Sequence, residues 1–178
     1  RGFGGILFSC APQTFGFPIL GDRYWDPFWS VCQEADLPVS FHIGNGDFLD
    51  VFTPDRLAID GFAVTYARTA VDLFIGNGKH LADLLLCGVL ARYPKLKFVS
   101  VESGVGWIPF VLEAVDYSFG KADVRAEHPE FDMLPSEYFR NQVYSCYWFE
   151  KELSVDLLNK VGIKNIMFET DFPHPTCI

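Results

Sequence analysis

Three side chains suited to metal or proton-transfer chemistry stand where hydrophobic runs end. His42 lies near the end of PVSFHIG, Glu102 near the end of LKFVSVES, and Asp171 directly follows NIMFET. Imidazole nitrogen together with carboxylate oxygen suits a divalent transition metal. Such an ion lowers the pKa of bound water or polarises a substrate oxygen. The residue types therefore predict one divalent metal ion, zinc in the first place, with manganese and iron as alternatives.

Three further residues are candidates for substrate binding or for supporting the metal ligands. Glu169 precedes Asp171 by two positions, so strand alternation puts both on one face. His174 follows in a proline-flanked loop, where it either lines the pocket, orients Asp171 through a hydrogen bond or only holds the loop backbone. Trp107 opens a predicted helix and either walls the pocket or packs in the core.

An alternating series of strands and helices must position these residues. The pattern predicts strands at 5–10, 38–44, 96–103, 141–149 and 165–170, and helices from about Asp26, around 62–92, over 106–122 and over 151–162. The segment between the second strand and its helix, GNGDFLDVFTPDRLAIDG, is predicted to be a loop because it is rich in glycine and aspartate. Strands that alternate with helices favour a parallel sheet of β/α units. No linker or repeat divides residues 1–178, so one domain is expected.

Polar pairs at strand ends indicate where the site lies. Ser40 and His42 share a face of their strand, and alternation predicts that Ser100 and Glu102 share one as well. The carboxyl ends of parallel barrel strands converge on one mouth, where the catalytic groups of such folds sit. The sequence therefore predicts that His42, Glu102 and Asp171 meet at that mouth.

Composition excludes several classes of partner. The 178 residues carry a net charge of −9 without a basic cluster, which argues against nucleic acid. Glycine-rich pieces such as GNGKHL and GVGWIP lack the dinucleotide and P-loop patterns and are interpreted as tight turns. Five widely spaced cysteines, no signal peptide and no membrane-length apolar run indicate a cytoplasmic protein without a membrane partner. We expect a small-molecule substrate, and a homo-oligomer stays open.

Three segments also carry a family resemblance: DPFWSVCQEADLPVSFHIGNG, ARYPKLKFVSVESGVGWIPFVLEAVDYSFGK and IMFETDFPHP. Together they resemble the amidohydrolase-related family that includes aminocarboxymuconate-semialdehyde decarboxylase and resorcylate decarboxylase. The resemblance implies a metal-dependent (β/α)8 TIM barrel of which this chain supplies roughly the last five β/α units, the N-terminal strands being absent. It also implies that His42 is a metal ligand, and that Asp171 both binds the metal and transfers a proton.

Two departures from the family pattern bear on function. Glu102 stands where the decarboxylases carry a histidine that assists proton transfer, and no His-x-His or Glu-x-His ligand pair occurs in the sequence. We therefore expect about half a metal site and no activity from this fragment alone. The main expectation is a metal-dependent hydrolase with Asp171 and Glu102 as catalytic residues. A non-oxidative decarboxylase acting on a small, aromatic acid and a non-catalytic barrel relative are the alternatives.

Overall fold

Five parallel strands in chain order form the centre of the molecule. The computed structural model describes residues 2–44, 52–174 and 177–178. The strands are β1 (Ile6–Leu7), β2 (Val39–His42), β3 (Phe98–Val101), β4 (Val143–Tyr147) and β5 (Ile166–Phe168), and each pairs in parallel with the next. Consecutive parallel strands need crossover connections, which helices provide here. The predicted parallel α/β sheet is confirmed, with β1 shorter than predicted.

Helices connect the strands. They are α1 (Asp26–Glu34), α2 (Pro54–Leu86), α3 (Val89–Arg92), α4 (Ile108–Lys121), α5 (Val124–Glu127), α6 (Pro135–Gln142) and α7 (Val155–Val161). α1 begins at the predicted residue, Asp26, with proline in its first turn, a position where the missing N–H costs no hydrogen bond. Within the described parts of the chain, none of these helices has the length and apolarity required to cross a membrane.

The predicted loop over 44–61 is wrong in its second half. α2 begins at Pro54, behind an extended Thr53, and Asp55 lies in its first turn. Proline at the first helical position and an acidic first turn are start signals, and here they outweigh the glycine and aspartate content. Gly61 has φ 75° and ψ 173°, so it breaks the helix into two parts. The rest of the predicted loop, 45–51, lies outside the described residues.

α5 and α6 are absent from the sequence-based prediction. α6 starts behind an extended Leu134, with Pro135 in the first position and Glu137 accepting a 2.7 Å hydrogen bond from the Leu134 amide. This closes the start of the helix as a capping box does. Because α6 runs directly into β4, the predicted strand at 141–149 wrongly includes the last two residues of this helix, Asn141 and Gln142.

The hydrophobic core lies between the sheet and the helices. Burial alternates along β2 and β3, where Val39, Phe41 and Phe98 are buried and their neighbours are half-exposed. The buried residues form one cluster with helix residues that include Trp29, Leu81, Leu84, Leu85, Ile108, Leu112 and Phe139. Full burial of such a side chain contributes roughly 1.5–3 kcal/mol. Helices therefore cover one face of the sheet, and the other face carries His42.

Candidate active site

His42 presents one ring nitrogen to the site. It is the last residue of β2, and its Nδ1 lies 2.6 Å from the carbonyl oxygen of Ile43. A carbonyl can only accept, so Nδ1 donates its proton and Nε2 of the neutral ring carries a lone pair. Nε2 contacts Oε2 of Glu102. Two lone pairs at this contact require a proton or a cation between them.

Glu102 lies on the opposite face from the one that strand alternation assigns to it. His42 pairs with Val101, and paired residues of parallel strands point to one face. Ser100 points the other way, toward α2, where its hydroxyl accepts a 2.8 Å hydrogen bond from Asn77. The prediction that Ser100 and Glu102 share a face is therefore wrong. Glu102 has φ 62°, and this left-handed residue ends the alternation and turns its side chain toward His42.

Burial shapes the electrostatics of Glu102, which is only 7% exposed. Burial is the main cause that raises its pKa above the ordinary value; His42 opposes the shift, and the carboxylate of Asp171 adds to it. Glu102 and Asp171 are also hydrogen-bonded through their carboxyl groups, an arrangement that needs one shared proton. The structure therefore brings two acids together where one cation or one proton relieves their repulsion.

Asp171 and His174 form the second half of the cluster. Asp171 has φ 56°, and its Oδ2 lies 3.0 Å from Nδ1 of His174, while the His174 amide donates to the Asp171 carbonyl at 2.8 Å. One ligand atom each from Glu102, Asp171 and His174 lies within 4.8 Å of the others. Non-glycine residues with positive φ are uncommon and gather at functional sites. Both acids of this cluster have that conformation.

Cys146, which is buried, and Glu169, which is half-buried, form a pair close to Glu102. The thiol of Cys146 hydrogen-bonds to Glu169, and burial, with the Glu169 charge, raises the pKa of Cys146 to about 12. Burial likewise raises the pKa of Glu169, whose Oε1 has no hydrogen-bond partner among the residues described. A thiol with that pKa is protonated at neutral pH, so Cys146 lacks the thiolate that a nucleophile needs.

Trp107 packs behind the site. Its indole N–H donates to the Ser103 carbonyl at 2.8 Å, and its ring lies against Gly78 of α2. A Cβ at Gly78 would lie 3.3 Å from the ring. The GNGK segment is therefore helical and serves close packing, which corrects its interpretation as a turn. His80 accordingly lies inside α2, where burial lowers its pKa.

Sequence reasoning missed the residues that hold the turn after Glu102. Asn77, buried in α2, donates to the hydroxyls of Ser100 and Ser103 at 2.8 Å each. Glu150, in the loop after β4, accepts hydrogen bonds from the amides of Val105 and Gly106. A polar residue on a buried helix face is a signal that could have found Asn77, once GNGK is recognised as helix.

Comparison with known proteins agrees with this architecture. The family model described as Amidohydrolase matches residues 1–177. The chain belongs to the amidohydrolase family. The family resemblance is thereby confirmed, and so is the partial TIM barrel, since the chain supplies five parallel strands in chain order with helices between them.

Several relatives show how much of a family member this chain spans. It is 26% identical over 155 residues to gamma-resorcylate decarboxylase of Rhodococcus jostii (strain RHA1), covering 83% of this chain and 43% of that protein. An amidohydrolase from Mycobacterium avium subsp. paratuberculosis K-10 superposes with a TM-score of 0.73 and 26% identity, covering 97% of this chain and 43% of that one.

A third relative has a structure with ligands. The 5-carboxyvanillate decarboxylase of Novosphingobium aromaticivorans DSM 12444, solved with manganese and 3-methoxy-4-hydroxy-5-nitrobenzoic acid, shares the fold with a TM-score of 0.67. Its identity is 21%, and the match covers 96% of this chain and 47% of that chain. The chain therefore spans less than half the length of these relatives.

Proposed function

We propose that the protein containing this chain is a metal-dependent, non-oxidative decarboxylase of a small hydroxylated aromatic acid. The observation that carries the proposal is the cluster of Glu102, Asp171 and His174, with His42 against Glu102. The relatives named above include a resorcylate and a carboxyvanillate decarboxylase, which favours decarboxylation over the hydrolysis expected from the sequence.

The donor set fits a divalent cation. Two carboxyl groups are neighbours here, and one of them, Glu102, has a raised pKa. The lone pair of the His42 imidazole also faces the Glu102 carboxylate. A positive charge would relieve the repulsion at both places. We propose that His42, Asp171 and Glu102 hold the ion, with residues outside this chain completing its coordination. When bound, such an ion polarises a substrate oxygen. An oxygen-rich donor set suits manganese, the metal of the carboxyvanillate decarboxylase, so we place manganese before zinc.

Proton transfer falls to the acids of this chain. Decarboxylation requires a proton at the ring carbon that bears the carboxylate. The bond from that carbon to the carboxylate then breaks, CO₂ leaves, and the electron pair of the bond restores the aromatic ring. We propose Asp171 as the proton donor and Glu102, its neighbour in the cluster, as its assistant. His174, at 3.0 Å from Asp171, orients that carboxyl group.

Aromatic residues at the carboxyl edge of the sheet, the edge at which the cluster lies, favour an aromatic substrate. Phe149 follows β4 at the carboxyl edge of the sheet and stacks on Phe74 of α2, with ring centroids 5.1 Å apart. Trp148 meets both rings edge-on. Phe149 is 42% exposed, which leaves area for an aromatic ligand.

The test uses the full-length protein, metal-free and loaded in turn with Mn²⁺ or Zn²⁺. We expect CO₂ release from hydroxybenzoic acids with a carboxylate beside the hydroxyl, higher with Mn²⁺, and loss of release in Asp171→Asn. A full-length protein that takes up neither metal and releases no CO₂ would favour the non-catalytic alternative.

Hydrolysis is the second candidate because of Glu102. A carboxylate there is a weaker partner for a substrate carboxylate than the histidine of the decarboxylases it resembles, and it is a better proton acceptor for water. Incubation of the metal-loaded protein with small lactones and amides, at equal concentration to the acids, separates the two reactions. Turnover of lactones or amides without CO₂ release would select hydrolysis.

A further inference from the structure

The turn between β3 and α4 is held by a carboxylate from the neighbouring loop. Oε1 of Glu150 accepts hydrogen bonds from the amides of Val105 at 2.8 Å and Gly106 at 2.6 Å, and Oε2 accepts from Val105 at 3.1 Å. The turn starts at Glu102 and leads into α4 at Ile108. Glu150 thus contacts the segment that directly follows a proposed metal ligand.

The glycines of the turn leave space for this carboxylate. A Cβ on Gly104 would lie 2.7–2.9 Å from the carboxyl atoms of Glu150, and one on Gly106 would lie 3.0 Å from Oε1. Gly104 also has φ 71°, which favours glycine over any residue with a side chain. On the other side, the Tyr147 hydroxyl donates to the Glu150 carbonyl at 2.6 Å. The Glu150 carboxylate therefore has room only in a turn of this composition.

A charged acceptor suits these two amides. They precede the first turn of α4, where the helix itself offers no acceptor and where its dipole favours negative charge. Hydrogen bonds from amides to a carboxylate are about twice as strong as those between neutral groups. Loss of the carboxylate would leave two donors without their acceptor and free the turn to rearrange.

The opposite side of the turn is fixed from the helical layer. The Asn77 amide donates to Ser100 and Ser103, and the Trp107 indole donates to the Ser103 carbonyl. Asn77 therefore holds the residues on both sides of Glu102, and Glu150 holds the next residues of the turn. Glu102, with φ 62°, lies between the two serines that Asn77 holds and three residues before the first amide that Glu150 holds.

We propose that Glu150 is a positioning residue that holds Glu102 in its left-handed conformation, so that the Glu102 carboxyl group faces His42 and Asp171. It acts through the turn, since its own carboxylate is engaged by Val105 and Gly106. The part of the inference that concerns metal affinity rests on the proposed function. The part that concerns the His42–Glu102 contact does not, because the ring shifts of His42 report on that contact directly.

The experiment compares Glu150→Ala and Glu150→Gln with wild type in the full-length protein. Glu152→Gln is the matched control, because Glu152 is an exposed carboxylate in the same loop. Two quantities are measured: the Kd for Mn²⁺ by competition with a chromophoric chelator, and the ¹⁵N shifts of the His42 ring in metal-free protein. Melting temperatures check that each variant is folded.

We expect Glu150→Ala to weaken Mn²⁺ binding at least tenfold, the usual cost of losing a group that supports metal ligands. The His42 Nε2 shift should move with it because Glu102 leaves the ring. Glu150→Gln keeps one acceptor oxygen without its charge, so about threefold weaker binding is expected, and Glu152→Gln should match wild type.

Unchanged His42 shifts in a folded Glu150→Ala variant would overturn the proposal, whether or not the wild type binds metal. If Glu150→Ala does not fold, Glu150→Gln decides, and wild-type His42 shifts with wild-type Mn²⁺ affinity would overturn the proposal. A wild type that binds no Mn²⁺ refutes the proposed function instead, and the ring shifts still test Glu150.

Discussion

The Nε2 atom of His42 contacts the Glu102 carboxyl group, although the register of β2 and β3 assigns the two residues to opposite faces of the sheet. The left-handed conformation of Glu102 makes the contact, and backbone in that region costs on the order of 1–3 kcal/mol for a residue with a side chain. The site therefore depends on a conformation that the local backbone disfavours.

Replacing Glu102 by glycine should lower activity without lowering stability. Glu102→Gly relieves the positive φ but removes the carboxyl group, so we expect the free energy of unfolding of the metal-free protein to be unchanged or to rise by about 1 kcal/mol. Activity of the loaded protein should fall by about 100-fold or more. Urea unfolding and CO₂ release measure the two effects.

Glu102→Gln is the control for that change, since it keeps the side chain and the strained backbone. It should lose activity without the gain in stability. A glycine variant that is less stable than the glutamine variant by more than 1 kcal/mol would show that the left-handed conformation carries little strain.

Asp171→Asn should reduce kcat/KM by about 10²–10⁴-fold, because an amide at this position cannot transfer the proton. Most of the loss should be in kcat. His174→Gln, which keeps a hydrogen-bonding group near Asp171, should cost less, about tenfold. Steady-state CO₂ release on the full-length protein measures both variants, and an Asp171→Asn protein with wild-type kcat would contradict the assigned role.

Asn77→Ala should destabilise the protein by about 1–3 kcal/mol, because a buried amide that serves two hydroxyl groups is lost. Asn159 is exposed on α7, so Asn159→Ala is the matched control and should change stability by less than about 0.5 kcal/mol. Urea denaturation of the two variants gives the difference. Equal stability of the two would mean that the Ser100–Ser103 pair, 3.0 Å apart, suffices alone.

Asp26 should contribute stability that is lost in acid. Partial burial works to raise its pKa, but the hydrogen bond from Arg23 and the charges of Arg92 and Arg23 outweigh burial and lower the pKa below the ordinary value. A carboxyl group whose pKa is lower in the folded state stabilises fully above its unfolded pKa, about 3.9. That contribution disappears as pH falls through the folded pKa.

The corresponding measurement is urea unfolding between pH 7 and pH 2.5 for wild type and Asp26→Asn. The difference in stability between the two should be constant above about pH 5 and should shrink below about pH 4. Arg92 makes a 3.2 Å ion pair with Asp26 and donates to the Gly21 carbonyl, so Arg92→Lys should reduce the same difference. A difference that does not change with pH would exclude this ion-paired role.

Much of the fold could be predicted from the sequence because its signals are local. Period and composition identify β2, β3, β4 and β5, and proline at the start of α1 fixes its first residue within one position. α6 is absent from the prediction because its start signal is a Leu-Pro-Ser-Glu capping arrangement in a polar segment. GNGK was misread because Gly76 and Gly78 are helical, and only the ring of Trp107, packed against Gly78, explains a glycine there.

The site could be predicted only in part, for a different physical reason. Strand ends place His42 and Asp171 at one edge of a parallel sheet, and that follows from topology. The side on which Glu102 lies depends on one backbone dihedral angle, which alternation cannot predict. The roles of Asn77 and Glu150 depend on contacts with residues at least 23 positions away in sequence, so no local pattern indicates them.

The contact between Gly78 and Trp107 connects α2 to the turn that follows Glu102. A methyl group on Gly78 would lie 3.3 Å from the indole ring of Trp107, so the ring would have to shift by a few tenths of an ångström. The indole N–H of Trp107 also donates a hydrogen bond to the carbonyl of Ser103, the residue after Glu102. A bulkier residue at position 78, on the far side of the sheet from His42, would thus displace the residues that follow Glu102.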